Sequence, residues 1–381
     1  MNVLTLIRRA ALFGLCSAAL TLFAQEAVPF NSGSTGAAGE LNITENTTLD
    51  LPPDGILHCT TVTIAENATL RFNRNAANTP VYLLATGPVT IAGVIDLDGT
   101  SGQDWGQGGI GGPGGFDGGN TTPTLQPGRG PGATRAGLRH PASHATFGDG
   151  AALPSTYGDP LVLTLVGGSG GGAINADGAN RGGGGGGGAI LIASSVSIQH
   201  SGGIYARGGR GGSGYENNGS GGAIRLVAPS VTGSGRLWVE SAERWARGVG
   251  RVRIDSLNRT GFAFDHRAVY AAGANLIARL PAEPSLRLTH AAGTDIAPAT
   301  QGVVRVVLPA GAPAEQPVRI QARGFNAPVP IRVTLYPENA PAIELDDVID
   351  NTQGDVAVKE LTASFPVNTP TRVMVWTRPA N

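Results

Sequence analysis

Asp96 and Asp98 lie two positions apart in the segment Val94–Gly99, and Asp104 follows a few residues later. If this segment is a β-strand, the first two side chains point to the same side, because side chains alternate along a strand. Carboxylate oxygens are the ligands that Ca²⁺ prefers, so the three aspartates could form a calcium site. A pair of carboxylates is also what glycoside hydrolysis uses. The sequence favours a third interpretation, a solvated strand end followed by an Asp-Gly turn.

Two histidines and an arginine could contribute to a second kind of site. His140 and His144 are four positions apart, a spacing that suits a shared metal only within a helix, which Pro141 and the surrounding loop residues disfavour. Together with the aspartates and Arg207 they could instead serve a polysaccharide lyase or glycoside hydrolase, which is the enzymatic alternative. Such an enzyme requires these groups to converge in one cleft.

Several glycine-rich motifs of known chemistry are not matched. The run Gly182–Gly188 lacks the Lys-Ser/Thr pair of a phosphate-binding loop and precedes an apolar strand pattern. In Gly111–Asp117 the position that needs aspartate in a calcium-binding nonapeptide is Phe116. No Gly-x-Ser-x-Gly turn leads into an amphipathic helix. We therefore expect no catalytic site, with a polysaccharide lyase or glycoside hydrolase as the alternative. We also expect no cofactor, with calcium at the three aspartates as the alternative.

Aromatic and arginine side chains in the glycine-rich turns are the better candidates for ligand binding. Aromatic faces stack on sugar rings, and arginine pairs with carboxylates through two parallel hydrogen bonds. The alternative is that the rings pack against the rest of the fold and anchor the loops. The candidates are Trp105, Phe116, Tyr157, Tyr205, Arg207, Arg210 and Tyr215.

Three stretches of the chain repeat the same order of three short strands: Val81–Gly99, Ala189–Gly209 and Ala223–Glu240. Ala189 and Ala223 are 34 residues apart. Several of the strands alternate apolar and polar residues, and one such unit cannot bury its apolar side alone. Stacked units bury a continuous core and pair every strand with the next unit. The repeat therefore predicts a parallel β-helix, which we expect to cover residues 25–255.

Most of the 59 glycines lie between Gly99 and Gly222. In Gly108–Gly119, Ile110, Pro113 and Phe116 recur every third residue. A polyproline-II helix has three residues per turn, so these side chains would form one stripe and the glycines would allow close packing of neighbouring segments. We predict ordered, extended glycine segments packed beside the β-helix; the alternative is a disordered linker.

The C-terminal part has a different pattern, with fewer glycines and more prolines. Short alternating strands separated by turns are typical of an immunoglobulin-like or fibronectin-like β-sandwich, which we expect over residues 279–381. Residues 256–278 are predicted to connect the two domains. The expected strands are Leu286–Leu288, Val303–Leu308, Val318–Ala322, Ile331–Leu335, Val356–Leu361 and Arg372–Trp376.

The N-terminal segment has the pattern of a cleaved secretory signal. Arg8 and Arg9 precede the apolar run Ala10–Phe23, which is too short to span a membrane, and the small residue Ala24 follows. We expect residues 1–24 to be a signal peptide and the protein to be secreted, to the extracellular space or the cell surface. No later segment is long and apolar enough to cross a membrane.

Charge and cysteine content narrow the possible partners. The chain has 27 Lys and Arg against 28 Asp and Glu, which gives no electrostatic case for binding nucleic acid or an anionic membrane. Cys59 is the only cysteine outside the expected signal peptide, so no intramolecular disulfide is expected.

The motifs Gly182–Ala193, Gly219–Ala228 and Gly250–Asp255 resemble those of glycine-rich secreted bacterial proteins that form right-handed parallel β-helices and have no assigned function. The resemblance covers about Leu41–Asp255 and implies the architecture. It implies no activity, because β-helices include lyases, hydrolases, adhesins and passive spacers.

These observations favour a non-catalytic structural or adhesion protein, extracellular or on the cell surface, whose glycine-rich loops bind a polysaccharide or cell-surface glycan. One alternative is a β-helix polysaccharide lyase or glycoside hydrolase. Another is a self-associating matrix component, since the terminal strands of a solenoid have free edges.

Overall fold

The computed structural model describes residues 29–146, 156–214, 216–242, 247–261, 263–279, 284–297, 306–309, 311–338 and 340–377. In these ranges the chain forms 25 β-strands and a single three-residue 3-10 helix, Gly212–Gly214, so the described protein is essentially all-β. The expected signal peptide, residues 1–24, lies outside the described residues. The described part contains no helix long and apolar enough to cross a membrane.

The first eighteen strands form two large parallel sheets and one small hairpin. They are, in chain order, β1 Gly39–Ile43, β2 Thr47–Asp50, β3 Ile56–Ile64, β4 Thr69–Asn73, β5 Val81–Ala85, β6 Val89–Ile91, β7 Val94–Asp96, β8 Ile174–Ala176, β9 Ala179–Arg181, β10 Ala189–Ser194, β11 Ser197–His200, β12 Gly203–Tyr205, β13 Ala223–Val227, β14 Ser230–Thr232, β15 Arg236–Trp238, β16 Arg251–Asp255, β17 Asp265–Arg267 and β18 Val269–Gly273.

The larger parallel sheet has ten strands in the order β14-β11-β6-β3-β5-β10-β13-β16-β18, with β1 also paired to β3. The smaller has six strands in the order β17-β15-β12-β7-β4-β2. The long strand β3 pairs with β5 through its first half and with β6 through its second half, which makes the larger sheet continuous. Strands β8 and β9 form a separate antiparallel hairpin.

The predicted repeats match the pairing of the parallel strands. Ile190 of β10 pairs with Val81 of β5 on one side and with Ile224 of β13 on the other. The first two strands of each repeat join the ten-stranded sheet, and the third joins the six-stranded sheet. Apolar side chains from both sheets meet in one buried cluster, which includes Ile198 and Leu237.

Residues 256–278, predicted as a connector between two domains, add β17 and β18 to the two parallel sheets. The parallel sheets therefore extend past Asp255, as far as Gly273. This segment gave a weak strand signal because β17 has the sequence Asp-His-Arg and all three of its residues are exposed.

A second apolar cluster covers the outer side of β5, β10 and β13. Val162, Leu165 and Ala278 pack there against residues of these strands such as Leu191. Burial on both sides explains why these strands are continuous apolar runs, while β6 and β11 alternate.

The last seven strands form two antiparallel sheets, in the orders β20-β19-β21-β24 and β23-β22-β25. Their inward residues, among them Ile320 and Val333, share one buried apolar cluster. The strands are β19 Ser285–Ala291, β20 Thr294–Asp295, β21 Glu315–Arg323, β22 Pro328–Pro337, β23 Ile343–Asp350, β24 Val356–Ser364 and β25 Thr371–Thr377.

Five of the six strands predicted in this part are present. Of the sixth, Val303–Leu308, residues 306–308 are not in a strand, and residues 303–305 lie outside the described residues. Strand β23 was not predicted. Its sequence, Ile-Glu-Leu-Asp-Asp-Val-Ile-Asp, is rich in aspartate, which strands usually disfavour.

Candidate ligand-binding surface

The glycine-rich segments form an ordered bundle around residues 182–188. Each backbone amide of this central segment donates to one of three neighbouring segments, and each neighbour recurs every third residue. From Gly182 to Gly188 the acceptors are the carbonyl groups of Gln103, Gly119, Asn217, Thr100, Phe116, Ser220 and Leu97.

From residue 182 to residue 187 the carbonyl groups of the central segment accept from three further segments with the same period, and the Gly188 carbonyl accepts from Ala223 of β13. From residue 182 to residue 188 the donors are the amides of Gly212, Gly109, Gly171, Gly209, Gly112, Gly168 and Ala223. A hydrogen-bond period of three is what a polyproline-II-like helix presents to its neighbours. The predicted ordered packing of the extended glycine segments is thus confirmed. We call residues 97–102, 108–119, 168–172, 182–188, 207–209 and 217–222 the glycine bundle.

Glycine is required in the bundle because neighbouring backbones almost touch. A Cβ added at Gly183 would lie 1.8 Å from the carbonyl oxygen of Gly171, and one added at Gly186 would lie 1.9 Å from that of Gly168.

The predicted stripe of Ile110, Pro113 and Phe116 is wrong. A turn at Pro113 and Gly114, the latter with φ of +77°, reverses the chain. The segments before and after the turn therefore become neighbours within the bundle. The amide of Gly118 donates to the carbonyl of Gly109 across them.

One end of the bundle continues into the parallel sheets, since Gly188 precedes β10 directly. At the opposite end the segments are joined by loops, and the Gly182 amide there bonds to Gln103. We call residues 103–107, 134–140, 173–181 and 210–214, together with Glu216, the distal loops.

Trp105 is the most prominent side chain of the distal loops. It is 61% exposed. Its φ is +52°, in the left-handed region that bulky residues avoid. The Trp105 amide donates to the carbonyl of Asn180 at 2.8 Å, which fixes the loop to the β8–β9 hairpin. Such a conformation costs about 1–3 kcal/mol, and residues that adopt it cluster at functional sites.

Asp104, next to Trp105, is part of a polar cluster. Its carboxylate forms an ion pair with Arg181 at 2.5 Å and accepts a hydrogen bond from the Ser213 hydroxyl. The hydrogen bond from Ser213, followed by that from Arg181, holds the pKa of Asp104 below its usual value. Ser213 also lines an open cleft of about 430 Å³ with Arg139, Gly214 and Glu216.

Arg210 lies in the distal loop that follows Arg207 and is exposed. Its backbone is fixed, because its carbonyl accepts from the Gly102 amide and the next amide, Gly211, donates to the side chain of Asn218. Within the described ranges its guanidinium forms no ion pair. Tyr215, another predicted ligand-binding residue, lies outside the described residues.

Tyr205 and Arg207 lie elsewhere, on the outer face of the six-stranded sheet. Tyr205 is in register with Asp96 on one neighbouring strand and with Trp238 on the other, and Trp238 is in register with Arg267. The rings of Tyr205 and Trp238 stack with centroids 5.3 Å apart.

Arginines occupy the remaining ring faces on this sheet. The guanidinium of Arg267 lies 4.6 Å from the ring centroid of Trp238, and that of Arg207 lies 4.8 Å from the centroid of Tyr205. Arginine side chains therefore cover these ring faces. The stacked aromatic rings on this sheet offer no open face for a sugar.

Each aspartate proposed for a calcium site pairs with a different arginine. Asp96 contacts Arg71 at 2.8 Å, Asp98 contacts Arg207 at 2.5 Å, and Asp104 contacts Arg181. Burial raises the pKa of Asp98, although the hydrogen bonds and charge of Arg207 oppose that effect. Within the described residues no group of three His, Cys, Asp or Glu side chains is placed to hold a metal ion.

Tyr157 and His144 are buried against each other, with ring centroids 4.4 Å apart. The Tyr157 hydroxyl donates to the Gly167 carbonyl at 2.8 Å and accepts from the Ser169 hydroxyl at 2.9 Å. Burial raises the pKa of Tyr157 despite the hydrogen bond from Ser169, and burial lowers the pKa of His144 to about 4. Tyr157 therefore anchors the loop that carries it, as the alternative interpretation of these rings proposed.

Phe116 is half-buried and packs edge-to-face on Trp376 of β25, with centroids 6.5 Å apart. Like Tyr157, it joins parts of the fold. Of the seven predicted ligand-binding residues, Trp105 and Arg210 are the exposed ones that the structure places together at the distal loops.

Sequence reasoning did not include Trp238, Arg181 and Ser213. The repeat contained a usable signal for Trp238, which occupies the same position in its repeat as Tyr205 does in the preceding one. Arg181 and Ser213 carry no such signal, because their contacts with Asp104 depend on how distant loops pack.

No protein-family model matches the chain, and no match was found among curated proteins or solved structures. The residues and their contacts are therefore the basis for a functional proposal.

Proposed function

We propose that this is a non-catalytic adhesion protein, secreted to the extracellular space or the cell surface, whose distal loops bind glycan. In this proposal the repeated strands form a right-handed parallel β-helix that serves as a rigid support. The two antiparallel sheets form an immunoglobulin-like or fibronectin-like sandwich that serves as a spacer or docking module.

The architectural part rests on pairing and packing. Each repeat adds two strands to the ten-stranded sheet and one strand to the six-stranded sheet. Both parallel sheets line one apolar core. Connections between parallel strands of one sheet are right-handed in nearly all proteins. The two antiparallel sheets likewise share one core.

The observation that carries the functional part is the exposure and backbone conformation of Trp105. A tryptophan that is 61% exposed loses the benefit of burial, and its positive φ adds a backbone cost. Neither feature stabilises the fold, whereas an exposed indole face beside polar groups suits a sugar ring. The hydrogen-bonded bundle behind it would hold the platform in place before binding, which reduces the entropy cost of association.

The non-catalytic part is supported by the state of the candidate catalytic groups. Asp96 and Asp98 are held by arginines, and His144 is fully buried with its Nδ1 2.7 Å from the Gly221 carbonyl oxygen. A general base must reach the proton that it removes.

A glycan array probed with the wild-type protein and with Trp105→Ala tests the proposal. Loss of the stacking face should weaken binding at least about tenfold, as truncation of a central aromatic contact does. Leu257→Ala is the matched control, because Leu257 is 70% exposed and lies outside the distal loops. Binding unaffected by Trp105→Ala, or absent from the wild type, would refute glycan binding at these loops.

A further inference from the structure

We infer that the distal loops select acidic glycans, with Arg210 pairing with a sugar carboxylate while Trp105 stacks on the ring. This inference rests on the proposed function and adds the ligand class.

Arg210 and Trp105 lie on two loops that contact each other at two positions. Three residues before Trp105, the amide of Gly102 donates to the Arg210 carbonyl at 2.8 Å. Two residues after Arg210, Gly212 lies so close to Asp104 that an added Cβ would be 2.7 Å from the Asp104 Oδ1. The loop of Arg210 therefore runs alongside the loop of Trp105.

The guanidinium of Arg210 is available for a ligand. Arg71, Arg181 and Arg207 each have a carboxylate partner, whereas Arg210 has none within the described part of the chain. An exposed guanidinium with a fixed backbone needs little reorganisation to form two parallel hydrogen bonds with a carboxylate.

Asp104, next to Trp105, repels an anionic ligand only weakly. The charge of Asp104 is already compensated by Arg181, and its carboxylate accepts from Ser213. The distal loops contain four arginines and three acidic side chains, although the whole chain has a net charge of −1. They are Arg135, Arg139, Arg181 and Arg210 against Asp104, Asp177 and Glu216.

The test compares ligands that differ only in the carboxylate. Oligomers of galacturonate, glucuronate and mannuronate are titrated in parallel with their methyl esters, which keep the ring but lose the charge. We expect wild-type protein to prefer at least one acid over its ester by about tenfold, the scale of one charge-assisted hydrogen-bonded pair.

Three variants separate the contributions of ring and charge. Arg210→Gln should abolish the preference for the acid and change ester binding by less than about twofold. Arg210→Lys should keep only part of the preference, because lysine has the positive charge but lacks the planar fork of arginine. Arg323→Gln is the control for a general loss of positive charge, since Arg323 is 60% exposed on β21. It should leave the preference intact.

The outcomes distinguish the two proposals. If Trp105→Ala changes binding of no glycan, the proposed function fails. If Trp105→Ala weakens binding but Arg210→Gln affects acid and ester equally, or the wild type binds none of the acids better than its ester, the inference is overturned while glycan binding stands.

Discussion

His144 is a neutral imidazole in the interior of the protein. Its ring stacks on Tyr157, and its Nδ1 lies 2.7 Å from the carbonyl oxygen of Gly221. Burial lowers the pKa of His144 from 6.5 to about 4, and the nearby charge of Arg251 acts in the same direction. Protonation in the folded state would place an unpaired charge in a dry site.

The folded protein should therefore lose stability in mildly acidic solution. Above pH 6.5 both the folded and unfolded states have a neutral His144, and the full stability is present. Between pH 6.5 and about 4 only the unfolded state takes up the proton, so the free energy of unfolding falls as the pH falls. The loss from this residue is about 3 kcal/mol, because each pH unit between 6.5 and about 4 costs about 1.36 kcal/mol.

Denaturant titrations of the wild type and of His144→Asn at pH 7 and pH 4 check this prediction. The variant should be less stable at pH 7, and the gap should shrink by about 3 kcal/mol at pH 4, because the variant has no proton to take up. Equal losses in both proteins would contradict the assignment.

At the residue scale, the sequence identified which side chains to consider but not where they lie. Trp105, Arg210, Phe116 and Tyr157 all lie near glycines in the sequence. The first two are exposed and the last two form internal contacts, with Trp376 and Ser169. Those partners are distant in the chain, so local composition cannot separate a binding residue from an anchor.

The central segment of the glycine bundle, residues 182–188, has no room for an added methyl group at Gly186. A Cβ at Gly186 would lie 1.9 Å from the Gly168 oxygen and 2.2 Å from its carbonyl carbon, and both belong to the backbone. Backbone atoms cannot move aside as a side-chain end can.

Gly186→Ala should therefore disrupt the bundle. We expect the free energy of local unfolding of residues 182–188 to fall by about 3 kcal/mol or more, at the upper end of the cost of overpacking. Hydrogen exchange of the amides of residues 182–188 measures this directly, since all seven are hydrogen-bonded in the wild type.

Gly106→Ala is the matched control, because its added Cβ would meet mainly the flexible side chain of Gln103, at 2.9 Å. It should cost less than about 1 kcal/mol, within the usual range for surface substitutions. Equal protection of residues 182–188 in both variants would contradict the close packing described here.

At the element scale, the alternation of apolar and polar residues predicted the strands reliably. The three-residue repeat predicted the structure of the glycine segments only in part. In β6 and β14 apolar and polar residues alternate, and this alternation decides which side of each strand faces the core. The three-residue pattern correctly indicated ordered glycine segments. It did not indicate the reversal at Pro113 and Gly114, because glycine on both sides of a turn gives no signal of where an extended segment ends.

At the scale of the whole molecule, the glycine bundle is a junction between the parallel and antiparallel sheets. Asp117, next to Phe116, pairs with Arg74 after β4 and with Arg129. The Arg129 guanidinium in turn lies 5.5 Å from the ring centroid of Tyr336 on β22. Burial alone would raise the pKa of Asp117, but the charge of Arg74, the amide of Gly111 and Arg129 outweigh it and lower the pKa.

This junction predicts that Phe116 and Trp376 are energetically coupled although they belong to different parts of the fold. Their rings meet edge-to-face at 6.5 Å, a geometry worth about 0.5–1.5 kcal/mol beyond the area it buries. A double-mutant cycle with Phe116→Ala and Trp376→Ala should show that coupling in the free energy of unfolding.

Phe116→Ala combined with Val307→Ala serves as the reference cycle, since Val307 is 79% exposed. Its two changes should add within about 0.5 kcal/mol. If the Phe116 and Trp376 changes were equally additive, this ring contact would not couple the antiparallel sheets to the glycine bundle. A coupled pair would instead mean that the glycine bundle and the antiparallel sheets stabilise each other through packed side chains.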